Sequence, residues 1–394
     1  MLGWWHELMK FKDLLILTPE FPDESNKRIG GIFVKEQVNY LKNYFENVYV
    51  ISPTSVWREY LFKGHSENYS WDKARVYHPL YVNFPFPYIG KYLKRFWIYL
   101  EKRAILKLIK SEKIEFDLIH AHYTWPTGAI AVELKKEFKV PIIITEHTHV
   151  TLYKALKRKD PFYLRTWERC DAIIRVNKKD VPLFKKFNEN TVNIPNGFDE
   201  EKFYSMEQEK CREKLNLPLD KKIILTVGNL IEVKGHKYAI EAMKEIIKKR
   251  EDVLYTIGGS GPLKEDLQNK IDESNLQDYV KLIGFVPDED LPILVNACDL
   301  FVLPSLSEGN PTVMFECLGC GKPFIGTKVG GEPDIITSED YGFLVEPANS
   351  KELAEKILVA LDKNWNKECI LDYAKQFTWN KISERIVEVY KGGL

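Results

Sequence analysis

At 394 residues the chain exceeds what one hydrophobic core usually serves, so two domains are expected. Lys and Arg together number 57, as do Asp and Glu; there is no cationic excess to suggest a nucleic-acid partner, and no apolar run of the roughly 18 residues that a membrane-spanning helix needs. A composition of 44% apolar and 29% charged residues is that of an ordinary globular chain.

The opening "MLGWWHELMKFKDLLILTPEF" is broken by acidic and polar residues and has no small-residue cleavage site, so no secretory signal is expected. Met9 is an alternative start leading directly into a first strand, which leaves open whether residues 1–8 are native. Strands are then predicted at 13–19, 47–53, 117–122, 141–147 and 171–176. A second series follows at 222–228, 253–259, 280–286, 299–305 and 323–331. Continuous rather than alternating apolar character marks strands covered on both faces, as in parallel sheets. Helical patterns such as 237–250 and 350–363 lie between them. Two successive βα series predict an α/β chain of two doubly wound domains facing across a cleft. The seam is expected in "NIPNGFDEEKF" (193–203), giving domains at 1–195 and 196–376.

Two further segments carry signals of their own. Residues 81–113 begin aromatic and proline-rich, then become a basic helix containing Phe96, Trp97, Ile98, Tyr99 and Leu100. Such a segment can lie on an anionic membrane surface, through cations such as Lys91, Lys94 and Arg95, or pack on the N-terminal sheet with a solvated basic face. The six cysteines, at 170, 211, 298, 317, 320 and 369, are scattered and read as reduced thiols. Cys317 and Cys320 form a lone CxxC, read as small-residue packing rather than redox or metal chemistry.

The stretch "SLSEGNPTVMFECLGCGKP" (305–323) concentrates the chemistry. A strand, a loop and a helix are expected in succession, with Pro311 at the first helical position, where a missing N–H costs nothing. The amides of Thr312 and Val313 then point out of the positive pole of the helix, an anion site suited to a diphosphate. Helical side chains lean toward the N-terminus, so Glu316 reaches back over the same ligand, where a carboxylate can accept from a ribose diol. Glu308, on the preceding loop, sits where the phosphate-linked group would lie. Diphosphate, diol and a second hydroxylated group together describe a nucleotide sugar.

Glu308 and Glu316 in E-x7-E spacing, followed by "GCGKPFIGTKVGGEPDII", resemble the signature of family-four retaining glycosyltransferases of the GT-B fold (glycosyl transferases group 1). "VGNLIEVKGHKYAIEA" (227–242), "IGGSGP" (257–262), "LIGFVP" (282–287) and "DYGFLVEP" (340–347) occur in that family's order. "GGIFVKEQV" (30–38), "DLIHAHYTWPTGAIA" (117–131) and "ITEHTHV" (144–150) extend the likeness through the N-terminal half. The resemblance implies that Lys234, beside Gly235, neutralises the donor diphosphate. Asn229 stands where much of the family has an arginine, so it can donate a hydrogen bond but no charge.

By the same resemblance, Gly30 and Gly31 let backbone approach the donor phosphates, and His147 lies beside the transferred sugar. His120, His122 and His149 are structural or acceptor-side; no metal is implied. Phe285 and Val286 form a wall to the base, with Ser260 and Gly261 on the same face. Gly309, Asn310, Pro311, Thr312, Val313 and Glu316 hold the donor. Residues 377–394 resemble a terminal helix that crosses back to the N-terminal domain.

The expected activity is retaining transfer of a hexosyl group from a UDP-, GDP- or ADP-linked sugar to an acceptor hydroxyl on a glycan, glycolipid or lipid-linked sugar. No cofactor is expected beyond the donor substrate, and the site of action is cytoplasmic or at the inner membrane face. The alternatives are another GT-B enzyme, a catalytically silent nucleotide-sugar binder or partner subunit, and a dinucleotide-dependent dehydrogenase. The last lacks a first-strand G-x-G-x-x-G.

Overall fold

A computed structural model describes residues 11–25, 30–57, 67–82, 94–148 and 150–392. The chain forms two compact units: residues 1–194 with 383–394, and residues 195–382.

In the first unit the strands are β1 (Asp13–Leu17), β2 (Asn47–Ile51), β3 (Thr54–Ser55), β4 (Tyr69–Trp71), β5 (Ala74–Tyr77), β6 (Leu80–Tyr81), β7 (Leu118–His122), β8 (Ile142–Glu146), β9 (Ala172–Arg175) and β10 (Thr191–Asn193). Among the described residues eight of them form one sheet in the order β10-β9-β8-β7-β1-β2-β5-β4, parallel except for β4 against β5, while β3 and β6 pair separately. The runs Leu14–Leu17 and Leu118–Ala121 are wholly buried, because helices cover both faces of the parallel core. Those helices include α1 (Ile32–Leu41), α2 (Lys94–Ser111), α3 (Ala129–Phe138) and α4 (Pro161–Arg169). Helix α4 starts where Pro161 supplies the fixed φ and the Asp160 carboxylate caps the Phe162 amide at 3.1 Å.

The second unit carries six parallel strands: β11 (Lys222–Val227), β12 (Val253–Gly258), β13 (Val280–Gly284), β14 (Leu300–Val302), β15 (Phe324–Thr327) and β16 (Gly342–Val345). Their order is β13-β12-β11-β14-β15-β16. Helix α5 (His236–Ile246) packs Ala239, Ile240, Met243 and Ile246 into one core layer. Helix α6 (Thr312–Gly319) is buried from Met314 onward in the other. The last helix, α7 (Trp379–Gly392), starts in the second unit, and from Ser383 on it belongs to the first.

Both sheets reverse their winding at one place. In the first unit this lies between β1 and β7, and in the second between β11 and β14. The loops that leave the carboxyl ends of those strand pairs diverge to opposite faces and leave a crevice, the usual ligand position in open α/β sheets.

Several expectations shift. The observed strands are each shorter than predicted by one to five residues, since end residues such as Pro19, Pro141, Gly228 and Ser305 belong to the loops. β13 alternates in burial instead of being covered on both faces, because it is an edge strand. Of the expected basic segment, residues 83–93, including Lys91, lie outside the described residues, as do His149 and residues 1–8.

Candidate functional site

The loop after β11 and the loop after β14 meet at the switch point of the second unit. Gly235 turns the first loop with φ of 65°, and a Cβ there would lie 2.0 Å from the Pro304 carbonyl oxygen. Only glycine permits that approach. Leu306 N–H donates to the Val233 carbonyl at 2.8 Å, fastening the two loops together. The fastening brings Lys234 Nζ to 2.6 Å from Glu308 Oε1, and Ser305 Oγ donates to the same oxygen at 2.6 Å. Both charged side chains are mostly shielded, at 20% and 10% exposure, so their attraction is screened less than that of a surface pair.

A third loop supports them from beneath. Gly330, at φ of 55°, would clash through a Cβ 2.3 Å from the Glu308 carbonyl oxygen, and Gly331 N–H donates to Gly309 at 2.7 Å. Glu332 follows, fully buried, with Oε2 accepting from Thr327 N–H at 2.8 Å. Thr327 Oγ1 in turn donates to the Ser305 carbonyl at 2.6 Å. Burial first, and the neighbouring Glu308 second, push the Glu332 carboxyl well above the usual carboxylate range; its protonated form is favoured. No local feature of the "GGEPD" run marks Glu332 for this cluster.

Pro311 caps helix α6 with φ of −68° and ψ of 125°. It stands one position before the helix rather than at its first residue, because its ψ is extended. No side chain caps that end, so the Thr312 and Val313 amides present the positive pole of α6. Glu316, 6% exposed, lies one turn further along. Asn310 is held by Asn196: the Asn196 amide N–H donates to Asn310 Oδ1 at 2.8 Å, and Asn196 Nδ2 donates to the Asn310 carbonyl at 2.7 Å. The buried Asn310 Nδ2 has no acceptor among the described residues.

The remaining positions of this unit spread along the neighbouring strand ends. Asn229 is exposed, and its carbonyl faces His236 Nε2 at 3.0 Å. The loop carrying Ser260 and Gly261 runs against it, with Leu230 N–H donating to the Ser260 carbonyl at 2.9 Å. A Cβ on Gly261 would lie 2.5 Å from the Leu230 carbonyl oxygen. Past β13, Phe285 is 54% exposed. Val286 instead packs inward, so that a Cβ on Gly258 would come within 2.6 Å of its Cγ2. Cys317 and Cys320 are buried free thiols. Burial raises both well above the usual thiol range, which leaves them unreactive.

In the first unit, Gly30 and Gly31 follow β1 and lead into α1. A Cβ on Gly31, whose φ is 76°, would lie 2.3 Å from the Glu20 carbonyl oxygen. Phe33, in the first turn, sets its ring 4.8 Å from that of His147. His147 stands just past β8, and its Nε2 is 3.0 Å from His122 Nδ1 at the end of β7. The two rings stack at 5.2 Å and 11°, and His120 stacks on His122 at 4.7 Å. His120 completes the row through Tyr390 Oη and Thr145 Oγ1, both at 2.7 Å. Burial is the first cause that lowers all three imidazoles: His120 and His147 fall to about 3, and His122 well below its ordinary value. All three are therefore neutral near pH 7. His147 Nδ1 is buried with no hydrogen-bond partner among the described residues.

Comparison with known proteins decides what this geometry belongs to. A family model described as glycosyltransferase family 4 matches residues 31–202, and one described as glycosyl transferases group 1 matches residues 207–377. A putative teichuronic acid biosynthesis glycosyltransferase of Bacillus subtilis is 30% identical, covering 87% of this chain and 88% of that one. The chain belongs to the group 1 glycosyltransferases. Sucrose-phosphate synthase from Thermosynechococcus elongatus shares the fold with a TM-score of 0.80 at 20% identity, over 96% of this chain and 98% of that one. The Anabaena HepE crystal structure with UDP-glucose matches at a TM-score of 0.71 and 20% identity, over 96% and 99%. The fold is thus GT-B, built of two Rossmann-like parts, and the group 1 glycosyltransferase is a hexosyl-transferring enzyme.

Proposed function

We propose that this enzyme moves a hexosyl group from a nucleoside-diphosphate sugar to an acceptor hydroxyl with retention of anomeric configuration. The observation that carries the reading is the meeting of Lys234, Glu308 and the open amino end of α6 at one switch point. A cation and two backbone amides converging there suit the two phosphates of a leaving nucleotide. Lys234 Nζ stabilises the negative charge that grows on the diphosphate as the glycosidic bond breaks. Glu308 holds that ammonium group in place before the donor arrives, and Glu316 and Asn310 Nδ2 supply an acceptor and a donor for sugar hydroxyls.

Retention follows if the acceptor attacks from the face that the diphosphate leaves. The neutral His147 then offers a hydrogen bond, not a charge, to the sugar. Support for a UDP-linked donor comes from the UDP-glucose bound by the HepE structure. Support for a glycan or lipid-linked acceptor comes from the teichuronic acid role in the Bacillus relative's description. Among the described residues no helix is long and apolar enough to cross a membrane, and the reading places the reaction in the cytoplasm, where nucleotide sugars are made.

The test is a thermal-shift screen of UDP-, GDP- and ADP-sugars, followed by NMR of the anomeric proton in the product. One base should raise the melting temperature, since a ligand that binds only the folded state stabilises it. Lys234→Ala should lower kcat by about 100-fold or more, and Glu316→Ala should abolish the thermal shift. An inverted product, or a shift unaffected by Glu316→Ala, would overturn the proposal.

A further inference from the structure

Helices α2, α3 and α4 pack in sequence on one face of the first unit and enclose a cavity of about 530 Å³. Each helix lines it with one stripe at i, i+3, i+4 and i+7 spacing. Helix α2 contributes Arg95, Ile98, Tyr99 and Lys102; α3 contributes Ala129, Val132, Glu133 and Lys136; α4 contributes Phe162, Arg165, Thr166 and Arg169. That spacing puts four side chains on one helical face, so the cavity is a groove walled by three helices. Its rim holds five cations and one acid. Lys136 is paired with Glu133 at 2.7 Å and Lys102 with Glu137 at 2.9 Å. Arg95, Arg165 and Arg169 have no acidic partner among the described residues.

Three unpaired guanidinium groups around one hollow are mutually repulsive. In a chain with no net charge that concentration is local. The floor is apolar, formed by Ile98, Val132 and Phe162, while Phe96 and Tyr99 on α2 remain 42% and 55% exposed. A free phosphate would use the rim and waste the floor. An amphiphile with an anionic head would use both, and exposed aromatic rings favour the interface between water and hydrocarbon.

We propose that this groove seats the phosphate head group of an anionic phospholipid and docks the enzyme on a bilayer surface. Guanidinium forks match phosphate oxygens in pairs, and the aromatic edge of α2 enters the head-group layer. The proposal does not depend on the donor site, and its test needs no turnover.

The full chain is sedimented with vesicles of phosphatidylcholine alone and with vesicles containing one third phosphatidylglycerol. It should bind only the second, and less at high salt. The triple variant Arg95→Gln, Arg165→Gln, Arg169→Gln should lose on the order of 100-fold in partitioning, at roughly fivefold per cation near an anionic surface. A control with three exposed lysines of the second unit changed, Lys214→Gln, Lys249→Gln, Lys351→Gln, should bind as the parent does. Circular dichroism melts show that both variants are folded. Equal binding by the two triple variants would overturn the proposal, as would binding to neither vesicle. Full displacement by millimolar inorganic phosphate or glycerol 3-phosphate would do so too, by marking a site for a soluble anion.

Discussion

At Lys234 the charge is delivered by backbone, not by its own side chain's choice of rotamer. Gly235 adopts a φ of 65° with the Pro304 carbonyl directly against it, so the preceding lysine is carried to Glu308. Gly235→Ala introduces both a left-handed backbone cost of about 1–2 kcal/mol and a contact at 2.0 Å. It should lower Tm by several degrees and weaken donor binding with it; calorimetry with and without nucleotide sugar checks both. Across the 3.0 Å contact between His122 and His147, one neutral imidazole must donate, so the tautomer of one fixes that of the other. His122→Phe keeps a ring in the stack but removes the nitrogen. The ¹⁵N shifts of His147 should then move from one tautomer toward a mixture, whereas in the parent they should report a single neutral form at pH 6.

At the scale of elements, helix α2 carries a buried acid. Glu101 is 4% exposed, and burial raises its carboxyl from an ordinary 4.5 to about 8, against a smaller lowering by a hydrogen bond from Tyr81. The folded chain thus holds a proton that the unfolded chain releases above pH 4.5. The stabilising contribution is complete below that pH and is lost as pH rises through about 8. The three histidines run the other way, since their lowered values favour folding above pH 6.5 and cost stability as pH falls toward 3. Glu101→Gln should therefore flatten the decline in Tm between pH 6.5 and 8, worth on the order of a few kcal/mol, and leave the profile below pH 4.5 unchanged. Denaturation at several pH values reads this directly.

Elements differ in how far the sequence betrays them. The apolar runs Leu14–Leu17, Ile142–Ile144 and Ile223–Leu225 in β1, β8 and β11 are legible because burial on both faces leaves no polar interruption within them. The short pair β4 and β5, "YSW" and "ARVY", is not: three or four residues with an exposed face look like loop. Glu308 and Glu316 stand out because their spacing and turn residues are local, and Lys234 through the family resemblance of residues 227–242. Glu332 and the row from His147 to Tyr390 depend on contacts made by distant segments, for which no local pattern exists.

For the molecule as a whole, the two units are not two consecutive lengths of chain. The first is finished only by residues 383–394. Ile386, Val387 and Tyr390 are buried, and Tyr390 Oη meets His120 within the β-sheet core of that unit. Truncation after Ile382 should expose that core, remove the hydroxyl partner of His120 and lower the Tm of the first unit by more than 5 °C, at about 2–4 °C per kcal/mol for a body of this size. Supplying residues 379–394 as a separate peptide should restore part of it. The arrangement has a consequence during synthesis. The half that leaves the ribosome first keeps an unfilled seam until residues 383–392 emerge, so its maturation waits on synthesis of the half made after it. A chain stalled or clipped before Ser383 would then forfeit the amino-terminal lobe too, so neither half becomes competent without the other.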